Sequence, residues 1–169
     1  MKIKFILPLA CIAIFAACNN SSDNKGKTED SPMNKMDDMH QMPGPGGNVP
    51  DLPQVPEGAK VFFKDLKNDA TISSPFKLEM GTEVIKIDTA GPVVAGSGHH
   101  HLFIDAEDSL AAGTVVPKDS AHIHFGKGQT EYDLALTPGK HKLTLQMADG
   151  LHRSYGGKLA ATITVNVKK

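Results

Sequence analysis

Short runs of alternating apolar and polar residues fill the chain from Ala59 to Val167. Phe76, Leu78 and Met80 alternate with Lys77 and Glu79, and Ile85 and Ile87 flank Lys86. Tyr132, Leu134 and Leu136 alternate with Asp133 and Ala135, and Leu143, Leu145 and Met147 with Thr144 and Gln146. Ala161, Ile163, Val165 and Val167 alternate with Thr162, Thr164 and Asn166. Successive side chains of a strand point to opposite faces, so each run offers one face to a core and one to water. Val61–Phe63, His100–Ile104 and Ile123–Phe125 extend the set to about eight strands. Turn residues separate them: Ser74-Pro75, Gly91-Pro92, Gly96-Ser97-Gly98, Thr137-Pro138-Gly139, Asp149-Gly150 and Gly156-Gly157. No long window has helical periodicity. The pattern predicts an all-β domain over residues 59–169, an antiparallel immunoglobulin-like β-sandwich of about 7–8 short strands. Tyr132–Met147, bent at Pro138-Gly139, is the clearest expected hairpin.

Upstream of Ala59 the pattern is different. Lys2 and Lys4 precede the apolar run Phe5–Phe15 and the small pair Ala16-Ala17, which reads residues 1–17 as an export signal. The run is too short for a membrane span. Phe15-Ala16-Ala17-Cys18 resembles the lipobox of bacterial lipoproteins, with Phe15 at the place usually held by Leu. This predicts cleavage before Cys18 and acylation of its thiol. Each buried CH₂ adds about 0.8 kcal/mol, so two or three acyl chains anchor firmly where one does not. Residues 18–58 read as a tether. They are rich in Ser, Asn, Asp, Lys, Gly and Pro, and have no aromatic residue. Such a composition buries too little apolar surface to offset its ordering entropy. The expected location is the bacterial cell envelope, at the periplasmic face of the outer membrane or the cell surface, with the membrane reached through the lipid.

Composition narrows the function. The only Cys besides Cys18 is Cys11, inside the signal, so the domain is expected to fold without a disulfide. The formal charge is −1 and no basic face emerges, which argues against nucleic acid as a partner. The chain has eight His and no Trp, and the His are clustered.

Two strands carry the cluster: Gly98-His99-His100-His101-Leu102 and His122-Ile123-His124-Phe125. His99 and His101 share one strand face, and His122 and His124 share one face of theirs. If the strands meet, four imidazoles converge, and imidazole suits copper, zinc, nickel and iron. His99, His101, His122 and His124 are therefore the candidate metal ligands. The alternative is a polar network that pins loops, with Asp105–Asp108 nearby as partners. His141 lies in register with Leu143, Leu145 and Met147, as a core-edge His with a backbone partner does. His152, in the loop Asp149–Gly157, is a further candidate that the sequence does not place. In the tether, Met33, Met36, Met39 and Met42 recur every third residue around His40. Thioethers are soft ligands that select Cu(I), which makes this segment a candidate auxiliary metal site, the alternative being a compositionally biased linker. Enzyme signatures are weak. Ala95 breaks the Gly-x-Ser-x-Gly frame around Ser97, and Gly126-Lys127-Gly128 lacks the phosphate-loop frame.

The strings Phe62-Phe63-Lys64, Asp69-Ala70-Thr71, Ser74-Pro75-Phe76, Gly98-His99-His100-His101-Leu102, His122-Ile123-His124-Phe125-Gly126-Lys127-Gly128-Gln129-Thr130-Glu131 and Leu136-x-Pro138-Gly139-x-His141-x-Leu143 together resemble an exported bacterial family, domain-of-unknown-function family 4399. The resemblance spans residues 60–168 or so. It implies a small exported β-sandwich-like domain and supplies no catalytic residues. The segment Asp149–Gly157 departs from that family's His- and Pro-rich loop and keeps only His152. The expected function is a non-enzymatic binding module for a metal ion, copper or zinc. The rival is a structural or protein-interaction domain of the envelope without metal. A hydrolase-like enzyme is disfavoured for want of a nucleophile.

Overall fold

The computed structural model describes residues 48–169. The signal, Cys18 and the tether residues Met33, Met36, Met39, His40 and Met42 lie outside the described residues. Nine strands follow one another: β1 (Lys60–Phe63), β2 (Ala70–Ile72), β3 (Phe76–Glu83), β4 (Lys86–Ile87), β5 (Ser97–Ile104), β6 (His122–His124), β7 (Glu131–Leu134), β8 (Gly139–Ala148) and β9 (Ala160–Val167). A short 3₁₀ turn, Gly157–Leu159, leads into β9. The domain is all-β, as the alternation predicts.

The strands form two sheets. A three-stranded sheet has the order β1-β3-β7, and a six-stranded one runs β2-β9-β8-β5-β4 with β6 also paired to β5. The second sheet is mixed and curls into a half-barrel. Here the structure corrects the expectation of wholly antiparallel pairing. β2 lies parallel to β9, and β4 lies parallel to β5. Both are very short, of three and two residues, and each caps one end of a long neighbour. β2 was not among the expected strands, because its apolar positions Ala70 and Ile72 are too few to show a period.

The expected Tyr132–Met147 hairpin is also corrected. β7 pairs with β3, whereas β8 pairs with β5 and β9. The chain crosses from one sheet to the other at Thr137-Pro138-Gly139, and the Leu136 amide donates to Ser74 Oγ at 2.8 Å on the way. Both strands carry apolar alternation because both face the same core from opposite sides. Val61, Phe63, Leu78, Met80 and Leu134 come from the small sheet, and Leu102, Leu143, Leu145, Met147 and Val165 from the large one. Burying such a side chain fully stabilises by about 1.5–3 kcal/mol.

The packed chain begins before Ala59. Leu52 and Val55 lie against the core, and Arg153 Nη1 donates to the Pro50 carbonyl at 2.7 Å. Two isolated apolar residues among prolines carry no period, so composition assigns them to the tether. The large sheet is buried on both faces at its centre. Behind β5 and β8, opposite the main core, Phe103 and Ala148 pack with Val116, Ala106 and Leu110 from the loop after β5. The His cluster lies on this second face.

Candidate metal centre

β5 and β8 form the middle of the large sheet, with His99 opposite Ala148 and His101 opposite Gln146. The other edge of β5 is divided between two strands. β4 takes Ser97 and Gly98, and β6 takes His101, Leu102 and Phe103. This register sets His124 directly across from His101 and His122 across from Phe103. The period-2 rule does the rest. His99, His101, His122 and His124 share the second face, while His100, Leu102, Ile123 and Phe125 turn to the other.

Three of the four candidate ligands converge. His99, His101 and His124 each bring one ring nitrogen into a group whose atoms lie within 4.8 Å of one another. His99 Nε2 and His101 Nε2 are 3.1 Å apart. The two rings are hydrogen-bonded through these atoms. A tetrahedral ion with metal–nitrogen bonds of 2.0–2.1 Å needs donor atoms about 3.3–3.4 Å apart, so only a small outward shift separates the pair from the spacing of a coordination shell. His99 and His101 are buried, and His124 is exposed, so the group opens to solvent on the β6 side. Gly126 makes room for the His124 ring, because a Cβ there would overlap ring atoms Cε1 and Nε2.

His122 does not join this group. Its ring packs edge-on against Phe103, with centroids 4.6 Å apart. Its nitrogens face two carboxylates, Nδ1 with Asp119 at 2.7 Å and Nε2 with Glu107 at 3.3 Å. It pins the loop between β5 and β6. His141 plays a similar part. Its Nε2 lies 2.9 Å from the Thr137 carbonyl, the backbone partner expected, and its Nδ1 lies 2.8 Å from Asp105 Oδ2. That carboxylate holds the His141 imidazolium above its ordinary range, against the opposing effect of burial. Burial would raise Asp105, but the Lys142 amide and the His141 ring hold its carboxyl below the usual value.

His152 lies beside the group, against His124. Its Nε2 is 3.1 Å from His124 Nε2. Its ring centroid is 4.6 Å from that of His124, 5.0 Å from His99 and 6.0 Å from His101. Sequence reasoning left His152 unplaced, since a loop residue has no period to read. The Asp149-Gly150 turn signal marks the loop but not where its tip points.

The electrostatics favour neutral rings. Burial, then the neighbouring His124 and His152, push His99 down to about 3. Burial, then His99 and His124, push His101 down to about 2. Both are unprotonated at neutral pH, the state in which imidazole binds a metal. The Nδ1 atoms of His99 and His101 are buried and meet no protein acceptor. Packing, not a carboxylate behind the ring, orients these two imidazoles. His100, on the core face, is fully buried with neither ring nitrogen hydrogen-bonded, and burial lowers it to about 4.

Residues 78–168 match the family described as a domain of unknown function (DUF4399), and the chain belongs to that family. The match starts inside β3, later than the resemblance read from residue 60, and contains all four converging histidines. No curated protein and no solved structure matches the chain.

Proposed function

We propose that this member of the DUF4399 family is a non-enzymatic binding module for a late first-row transition metal, copper or zinc, held by His99, His101 and His124. The observation that carries the reading is the contrast between two kinds of histidine in one molecule. His122 and His141, which pin loops, each face a carboxylate. His99 and His101 instead lie with Nε2 atoms 3.1 Å apart and leave Nδ1 without a protein partner. Around His99 and His101 the neighbouring ring nitrogens are those of other imidazoles rather than carboxylates, so nitrogen donors gather where one cation can take them. Neutral nitrogen donors without thiolate or carboxylate suit copper and zinc ahead of magnesium or calcium.

The reading extends to place. The export signal and Cys18 put the module on a lipid anchor in the cell envelope, where it binds or presents its ion beside the membrane. The Met33, Met36, Met39, His40 and Met42 segment is the auxiliary soft-ligand site of the same chain.

The test is a titration of the purified chain with Cu(I), Cu(II), Zn(II) and Ni(II). The expected result is binding of copper or zinc tighter than about micromolar, a free energy beyond about −8 kcal/mol. It should disappear when His99, His101 and His124 are all changed to Ala. Binding that survives this triple change but is lost with residues 33–42 assigns the metal to the Met segment alone and ends the sheet-site reading.

A further inference from the structure

We propose that His152 is a fourth ligand to the same ion, held in place by Asp149 and Arg153. Through Arg153, we propose, the ion is coupled to the point where the N-terminal segment meets the domain. This rests on the metal-site reading above and adds to it a coordination number and a control point.

The backbone at His152 carries the first part. Its φ is 65°, in the left-handed region that a side chain with a Cβ seldom adopts. The surroundings hold it there from both sides. The His152 amide donates to the Asp149 carbonyl at 2.9 Å, and its carbonyl accepts from the Val116 amide at 2.9 Å. Such over-determined strain collects at functional positions, and here it aims an imidazole at His124 with 3.1 Å between Nε2 atoms. Three ligands come from the sheet and its edge, and the loop closes the fourth corner.

Asp149 builds that loop. It is fully buried, and every oxygen is used. Oδ1 accepts from the Leu151 amide at 3.0 Å and the Arg153 amide at 2.9 Å. Oδ2 accepts from Arg153 Nε at 2.8 Å and Nη2 at 2.7 Å. On the loop's other side the Gly91 amide donates to the Gly150 carbonyl at 2.9 Å. A Cβ at Gly150 would overlap the carbonyls of Gly91 and Pro92. His152 is thus set between a carboxylate anchor and a closely packed wall.

Arg153 carries the second part. The same guanidinium that grips Asp149 donates from Nη1 to the Pro50 carbonyl at 2.7 Å and from Nη2 to the Asp51 carbonyl at 3.4 Å. One side chain therefore joins the residue next to a ligand to the chain entering the domain. Asp149 and Arg153 touch no ion in this arrangement. They act as positioning residues.

The experiment uses the full chain and Zn(II) or Co(II) alone as probes, with variants His152→Gly, Arg153→Gln, Arg153→Lys and His99→Ala. Glycine is chosen at 152 because it adopts positive φ without steric cost, so the loop keeps its shape. His152→Gly should lower Co(II) affinity by at least about tenfold. X-ray absorption of the Zn(II)-loaded chain should fall from four imidazole nitrogens to three. Arg153→Gln should weaken binding about 10–100-fold, the usual effect of losing an outer support, while keeping four nitrogens at saturation. Arg153→Lys should recover part of it. Amide exchange at Asp51 and Leu52 should slow on loading in the unaltered chain and not in Arg153→Gln. Unchanged affinity and ligand number in His152→Gly, with His99→Ala still destroying the site, overturns the fourth ligand alone. Binding indifferent to His99→Ala as well overturns the metal-site reading beneath it. Metal-independent exchange at Asp51 and Leu52 overturns the coupling.

Discussion

His101 on β5 and His124 on β6 are cross-strand partners whose rings stack at a centroid separation of 5.0 Å and an interplanar angle of 27°. Two residues along the same pair, Phe103 faces His122. The register thus divides the two histidines of β6 into different tasks. Replacing His101 with Ala should lower Zn(II) or Cu(II) affinity by more than about 100-fold, beyond what outer partners usually contribute. His122→Gln should leave affinity within about twofold and instead loosen the loop held through Asp119 and Glu107. Calorimetric titration of both variants checks this, and a large loss in His122→Gln would put that residue back in the site.

Acid should destabilise the metal-free domain. His99, His100 and His101 sit at about 3, 4 and 2, below the ordinary value of 6.5. Between those values and 6.5 the unfolded chain binds protons that the folded chain refuses. The stability present at pH 7 is therefore lost as pH falls below about 6.5, by about 1.4 kcal/mol per pH unit for each imidazole that stays neutral in the fold. Urea midpoints at pH 7.5, 6 and 5 should drop steadily, and saturating Zn(II) should hold them up. A flat profile across that interval contradicts the desolvation of these rings.

His100 is a liability in the core. It is fully buried opposite Met147, and neither nitrogen has a partner. Replacing it with Leu removes the unpaired polar atoms at similar volume and should stabilise the domain by about 1–2 kcal/mol at pH 7. Melting should rise by several degrees with metal affinity unchanged. A lower melting temperature would mean that the imidazole has a role in the core that its contacts do not reveal.

Gly126 lies against the His124 ring, and a methyl group there would overlap it. Gly126→Ala should push His124 aside and weaken metal binding by about tenfold or more, the scale on which misplaced supports act. The metal-free melting curve should move far less, because His124 is at the exposed side of the group. Equal losses in both would make Gly126 a folding position only.

Much of the site was legible because strand geometry is simple. Alternation alone puts His99 and His101 on one face and His100 on the other, and the structure keeps that division. What alternation lacks is the identity of a strand's neighbour. Glu131–Leu134 and Gly139–Ala148 read as two arms of a hairpin, yet a connection that passes between sheets has the same local signals as one that turns back. Nor does it supply position along the strand. His122 and His124 are equivalent by period, and only the pairing of Phe103 with His122 separates them. His152 was hidden for another reason. Its placement comes from a buried carboxylate, Asp149, and a left-handed backbone, neither of which leaves a mark on hydrophobic pattern.

The grip of Arg153 on Pro50 and Asp51 also has a mechanical side. In chain order these two carbonyls come before Lys60, the first residue of β1. A pull on the chain ahead of Pro50 meets first the hydrogen bonds of one guanidinium, then the packing of Leu52 and Val55, before it reaches β1. Tension from that end would register beside His152 while every strand is still intact.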